Sequence, residues 1–186
     1  VKKGLSKKLI NAWHDIDDKR IAPENFLAIV EISKGEKTKY ELDKESGLLI
    51  LDRVLYTSTH YPASYGFIPR TLADDDDPLD VLILCNEPIQ PMVLVNCYPI
   101  GVINMNDNYS RDEKIIAIPF NDPTYNSYTD ITDLPAHIFA EMRHFFEVYK
   151  QLEGKTTAVD EVMNAEKARG IIKQSILNYR REFMNL

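Results

Sequence analysis

The chain has 186 residues, 44% hydrophobic and 10% aromatic, enough to build one domain with a sizeable core. Its net charge of -7, from 22 basic and 29 acidic residues, argues against nucleic acid or an anionic membrane as a main partner. It leaves room for a small anionic ligand, because local cations or a bound metal override net charge.

In chain order, residues 1–8 are basic and predict a frayed end. The sequence there carries no signal-peptide pattern, and no later segment has the apolar length of a membrane span. Both features lead to the expectation of a cytoplasmic protein. Leu5, Leu9, Ile10, Trp13 and Ile16 recur at helical spacing and predict a short helix lying over the core. Residues 26–32 form an apolar, β-rich run with Glu31 near its end. A turn at 34–36 leads into Thr38-Lys39-Tyr40-Glu41-Leu42, whose alternation predicts a half-buried strand with Lys39 and Glu41 on one face. After a turn at 43–47, residues 48–56 predict the next strand, which carries Arg53. Residues 57–69 are too broken by proline and glycine for a helix. Tyr61 and Tyr65 there are either core aromatics or hydroxyl donors to an anion.

Five of the seven residues 74–80 are aspartate, and an apolar run at 81–85 follows at once. Like charges in a row normally mark a solvated segment. Here they end in Pro78 and a predicted buried strand, so the carboxylates are fixed at the mouth of a rigid element. Crowded carboxylates coexist only with protons or cations, and hard divalent ions with oxygen ligands, Mg²⁺ above all, suit them. An acidic surface turn and a metal site both fit this stretch.

Strands follow at 92–98 and 100–105, divided by Pro99 and Gly101, and a last one at 114–118. Cys85 and Cys97 lie in apolar runs and read as buried, reduced thiols. Asp133 is a predicted N-cap with Pro135 in the first turn. Ile138, Met142, Phe145, Phe146, Tyr149 and Leu152 then form an apolar helical stripe, and Gly154 stops it. A second helix starts near Asn164, with Ala168, Ile172, Ile176, Tyr179 and Phe183 on one face. Short strands without intervening helices predict a small closed or nearly closed β-barrel in a single domain spanning residues 1–186.

Five blocks of the chain, over about residues 26–155, resemble the soluble inorganic pyrophosphatases of the β-barrel type. The centre is Asp75-Asp76-Asp77-Pro78-Leu79-Asp80-Val81, similar to the family signature Asp-Gly-Asp-Pro-Leu-Asp-Val. Lys39-Tyr40-Glu41-Leu42-Asp43-Lys44 with Asp52-Arg53 resembles the substrate-binding strand and the basic block after it. Tyr61-Pro62-Ala63-Ser64-Tyr65-Gly66 resembles the aromatic loop. Asp107 and Asp112-Glu113-Lys114 resemble the second metal loop, and residues 144–150 the helix that ends in phosphate ligands. The resemblance implies a mainly β fold with α: a small OB-like closed barrel of about five strands, flanked by two C-terminal helices.

It further implies Mg²⁺-dependent hydrolysis of inorganic diphosphate to two orthophosphates, with several ions per site, and association as a homohexamer. By the same resemblance Asp75, Asp80 and Asp112 hold one metal, Asp80 reaches a second, and a water bridges the two. Asp107 and Asp112 serve the metals that arrive with substrate. Asp77 is the base that takes a proton from the bridging water. Lys39, Arg53, Tyr65, Lys114, Tyr149 and Lys150 hold the phosphoryl groups, with Glu31, Glu41 and Tyr61 in supporting roles. The residue chemistry agrees: diphosphate offers no apolar handle and needs cations and donors from several directions. Phosphoryl transfer asks mostly for positioning and charge neutralisation.

Two departures stand out. Asp76 fills a slot that is glycine in the family signature; if the backbone there has positive φ, aspartate is among the tolerated residues. Residues 159–164 lack a tryptophan often found near the last helix. An EF-hand is excluded because Leu79 fills its third ligand position. A metal-dependent nucleotide phosphohydrolase is the nearest rival, and no base pocket is visible for it. His14, His60, His137 and His144 read as structural or surface residues.

Overall fold

The structure, a computed structural model, describes residues 11–107 and 110–184, the side chains of 106, 107 and 110 excepted. Its strands are β1 (Ile21–Ala22), β2 (Asn25–Ile32), β3 (Thr38–Leu42), β4 (Leu49–Val54), β5 (Ser64–Phe67), β6 (Asp80–Ile83), β7 (Leu94–Asp107), β8 (Ser110–Pro119) and β9 (Thr157–Asn164). Helix α1 (Ala136–Val148) precedes β9, and α2 (Ala165–Phe183) follows it.

Strands β2, β5, β6, β8 and β7 pair in that order, and β7 pairs back onto β2. The five therefore close into a ring, the OB-like barrel of the expectation. Closure works because β2 is shared along its length: Phe26 to Ile29 pair with β7, and Ile29 to Ile32 with β5. All these pairings are antiparallel except β6 with β8. Alternate residues feed two cores. Val81, Ile83, Ile115 and Ala117 pack with Ala168, Ile172 and Ile176 of α2. Leu82, Ile116 and Ile118 pack with Met142, Phe145 and Phe146 of α1. Covering both faces explains the near-continuous apolar runs of these strands. Gly66 lets β2 and β5 approach: a Cβ there would sit 1.8 Å from the Ile29 carbonyl oxygen.

Several expectations change, and β5 is a strand within residues 57–69, where none was predicted. The two strands divided by Pro99 and Gly101 are one continuous β7, which absorbs the break as a register shift between those residues. Strand β9 falls where no strand was predicted. It is an edge element paired to β7 alone, and only Val159 of it is buried, so apolar alternation is weak. Pro135, not Asp133, is the N-cap of α1. Asp133 instead closes a capping box with Asp130 on a preceding 3-10 turn. Residues 11–16 form turns rather than a helix, while Leu5, Leu9 and Ile10 lie outside the described residues. Leu152 is 68% exposed, in the turn beyond α1. Helix α1 itself ends earlier, at Val148, and Gly154 at φ 72° closes the 3-10 turn that follows it. Cys97 is buried, Cys85 half-buried, and both are free.

Candidate active site

A pocket of about 290 Å³ opens where the ring meets the β3–β4 hairpin. The elements deliver its walls by simple geometry. On β8, alternation turns Asp112 and Lys114 the same way. The parallel register sets Asp80, the first residue of β6, opposite Lys114. The turn before β6 adds Asp75 and Asp77, β2 adds Glu31, and β3 adds Lys39 and Glu41. Tyr65 comes from β5, and Tyr149 and Lys150 from the end of α1.

Lys114 is the hub. Its side chain is 3% exposed, and its ammonium donates to Asp80 Oδ2 at 2.7 Å and Asp112 Oδ1 at 2.8 Å. It also donates to the Tyr65 hydroxyl at 3.0 Å, and that hydroxyl donates to Asp80. One ammonium is shared between two half-buried carboxylates. Burial works against ionised Asp112, but Lys114 outweighs it and holds Asp112 below the usual carboxylate range. Burial, with Asp112 adding to it, pushes Asp80 up against the pull of Lys114. Lys114 is driven well above its ordinary value, because Asp112 and Asp80 overcome its burial.

Two further acids of the pocket, Glu31 and Asp75, are pushed in the same direction as Asp80. Burial, and then Asp80, raises Glu31 to about 8, although its Oε1 accepts the Leu42 backbone N–H at 2.7 Å. Burial raises Asp75, opposed by the Asp77 N–H at 3.2 Å and reinforced by Asp80. On the opposite wall Lys39 pairs with Glu41 and with Asp52 at 3.0 Å. Lys39 is raised because these partners outweigh its burial.

Most of the predicted site residues therefore meet in one pocket, and among the described side chains Arg53 and Tyr61 do not. Arg53 is absent from its lining and is held by Asp52 and by Glu153, at 2.8 Å from Nε. Tyr61 is buried behind the wall, its ring 5.5 Å from Tyr65 and 4.8 Å from Phe145. The Asp107 side chain lies outside the described residues, although its backbone ends β7. Asp76 has φ 65°, so the slot is left-handed, and its side chain is exposed away from the pocket lining. Among the lining residues given no role from sequence are Lys44 and Trp13. Lys44 stands in the block quoted for the substrate-binding strand, which was the available signal. Trp13 read as one more apolar position.

Among the described residues, no three His, Cys, Asp or Glu side chains form a ready metal cage. The Lys114 ammonium stands between Asp80 and Asp112 as their cation. The donor chemistry itself suits a hard cation: Asp75, Asp80 and Asp112 supply carboxylate oxygens only, and burial and mutual repulsion hold two of the three carboxyls up.

Residues 28–180 match the family model described as inorganic pyrophosphatase. Soluble inorganic pyrophosphatase 2 of Chlamydomonas reinhardtii is 46% identical over 172 residues, which cover 92% of this chain and 90% of that one. Soluble inorganic pyrophosphatase PPA1 of Solanum tuberosum is 47% identical over 174 residues, 92% of this chain and 82% of that one. Among solved structures, the Helicobacter pylori inorganic pyrophosphatase superposes with a TM-score of 0.82 at 43% identity, covering 85% of this chain and 95% of that one. The Thermus thermophilus enzyme does so at 0.83 and 38%, covering 86% and 93%. The barrel, the order of its sequence blocks and these likenesses agree: the chain belongs to the inorganic pyrophosphatase family.

Proposed function

We propose that this protein hydrolyses inorganic diphosphate to two orthophosphates with Mg²⁺. The observation that carries this reading is the pocket itself, where Asp75, Asp77, Asp80 and Asp112 face Lys39, Lys114, Tyr149 and Lys150. It is polar and small, which suits a compact polyanion and leaves little room for a nucleoside base.

Asp75, Asp80 and Asp112 would hold the metal, with Asp107 for ions that arrive with substrate and Glu31 and Glu41 in support. Bound Mg²⁺ would supply charge neutralisation and make water a better nucleophile. The chain's own residues do the rest. Lys39, Tyr149 and Lys150 bind phosphoryl oxygens and orient them. Lys114, fixed by Asp80, Asp112 and Tyr65, places a charge at the pocket floor. Asp77 accepts the proton of the attacking water as the new P–O bond forms and the bridging P–O bond breaks. The departing oxygen leaves with its electron pair as orthophosphate. Arg53 contributes by fixing the β4 side of the rim through Glu153, or by turning to substrate once that pair opens.

Phosphate release from diphosphate, with and without Mg²⁺ and beside nucleoside triphosphates, tests this. Fast Mg²⁺-dependent release from diphosphate alone is expected, and preference for a nucleotide would sink the reading. The same proposal takes residues 1–186 as one domain, the protein as cytoplasmic and its assembly as a homohexamer. The relatives' names, which call those proteins soluble, support the compartment, as does the lack of a described helix able to span a membrane. Cell fractionation that puts the protein with membranes would count against it. Sedimentation at micromolar concentration that gives a 21.4 kDa monomer would remove the hexamer.

A further inference from the structure

Residues 11–16 make a tight turn docked on the pocket rim. Asn11 Oδ1 accepts the Trp13 backbone N–H at 2.9 Å, and Asn11 Nδ2 donates to the Lys44 carbonyl at 3.4 Å. The Trp13 indole N–H donates to the Thr71 carbonyl at 2.8 Å. Its ring stacks on His14 at 4.5 Å and meets Phe183 edge-on at 5.4 Å, so its position is fixed by packing. The Lys44 ammonium lies 5.1 Å from the centre of that ring and closes an ion pair with Asp77. All three residues line the pocket.

The Lys44 and Asp77 side chains are 51% and 53% exposed. A pair so open to water is weak and easily exchanged. Diphosphate brings more charge than one carboxylate and several oxygens, so it competes well for an ammonium already at the pocket wall. Asp77, while paired, has an oxygen engaged by Lys44. To accept a proton it must be released.

We propose that Lys44 is a switching cation. It masks Asp77 before substrate enters and turns onto a phosphoryl oxygen when diphosphate binds. Substrate thereby gains a cation and frees the Asp77 carboxylate in one movement, and Trp13 is the fixed platform from which Lys44 swings. The proposal rests on the diphosphatase reading of the pocket and adds a substrate-touching residue to it.

Trp13 is the chain's single tryptophan, so its emission reports on the ammonium above it. The experiment titrates methylenediphosphonate, a non-hydrolysable diphosphate analogue, into the Mg²⁺-loaded protein and its variants, reading both emission and calorimetric affinity. In the unaltered protein, Trp13 emission shifts on binding. Lys44→Met weakens binding about tenfold and abolishes the shift, while Lys44→Arg restores most of the affinity. Asp77→Asn tightens binding when Lys44 is present and much less in the Lys44→Met background. That coupling separates release of Lys44 from a general loss of negative charge. Unchanged affinity in Lys44→Met, or the same Asp77→Asn effect in both backgrounds, overturns the proposal. Turnover of Asp77→Asn is read separately: full activity there removes Asp77 as base without touching the binding cycle.

Discussion

At the scale of single residues, the aspartates divide by direction. Asp80 touches Lys114 and Tyr65, whereas Asp77 faces Lys44 and the pocket mouth. Asp77→Asn is expected to lower turnover by about 10² to 10⁴, the usual cost of losing a general base. Calorimetry should show that it keeps far more Mg²⁺ affinity than Asp80→Asn does. Equal metal losses in the two variants would make Asp77 a ligand. Asp76 is different again, an exposed residue at φ 65°. Asp76→Gly should leave turnover within about twofold and stability within about 1 kcal/mol, since relief of strain and added chain entropy offset each other. Asp76→Val should cost about 1–2 kcal/mol by denaturant melting, because a β-branched residue resists this backbone. Loss of activity in Asp76→Gly at saturating Mg²⁺ would reveal a chemical role for its carboxylate.

At the scale of elements, the site depends on how tightly β2, β5 and β6 are drawn together. Gly66 on β5 faces the Ile29 carbonyl of β2. Its neighbour Tyr65 reaches Asp80 and Lys114, so strand spacing sets the hydroxyl's position. Gly66→Ala should destabilise the fold by about 3 kcal/mol, because the clash is with backbone that cannot rotate away. Thermal melting measures the loss. A melting point within a degree or two of the original would mean that the two strands separate more easily than their pairing suggests.

At the scale of the whole molecule, the N-terminal turn ties α2 to the pocket. His14 Nδ1 lies 2.6 Å from the Tyr179 hydroxyl, and its ring sits beside Trp13 and Phe183. Burial lowers the His14 pKa, Arg70 and Lys44 add to the effect, and Asp15 opposes it. The unfolded chain therefore takes up a proton that folded His14 resists. His14's contribution is complete above the ordinary imidazole value of about 6.5 and is lost as pH falls from there towards its lowered folded value. Denaturant melts over that interval should show stability dropping with pH, and His14→Gln should flatten the slope. An unchanged slope would assign the dependence to other groups.

The sequence by itself carried the local chemistry. Asp75, Asp77 and Asp80 are fixed to one another by a short turn ahead of an apolar strand, so their grouping needs no distant partner. The left-handed slot at Asp76 and the turn end at Gly154 are likewise set by neighbouring residues. The closed ring was legible as a class, because alternating and continuous apolar runs report which faces are covered. What the tertiary structure decided was everything that depends on contact across the chain. Strand β9 has too few buried residues to announce itself, and its place comes from the open edge of β7. Lys114 is one lysine among many until the parallel pairing of β6 with β8 buries it between Asp80 and Asp112. Lys44 meets Asp77 from 33 residues away, and Arg53 meets Glu153 from 100. Such pairings leave no periodic trace, since composition and spacing record only what neighbours along the chain share.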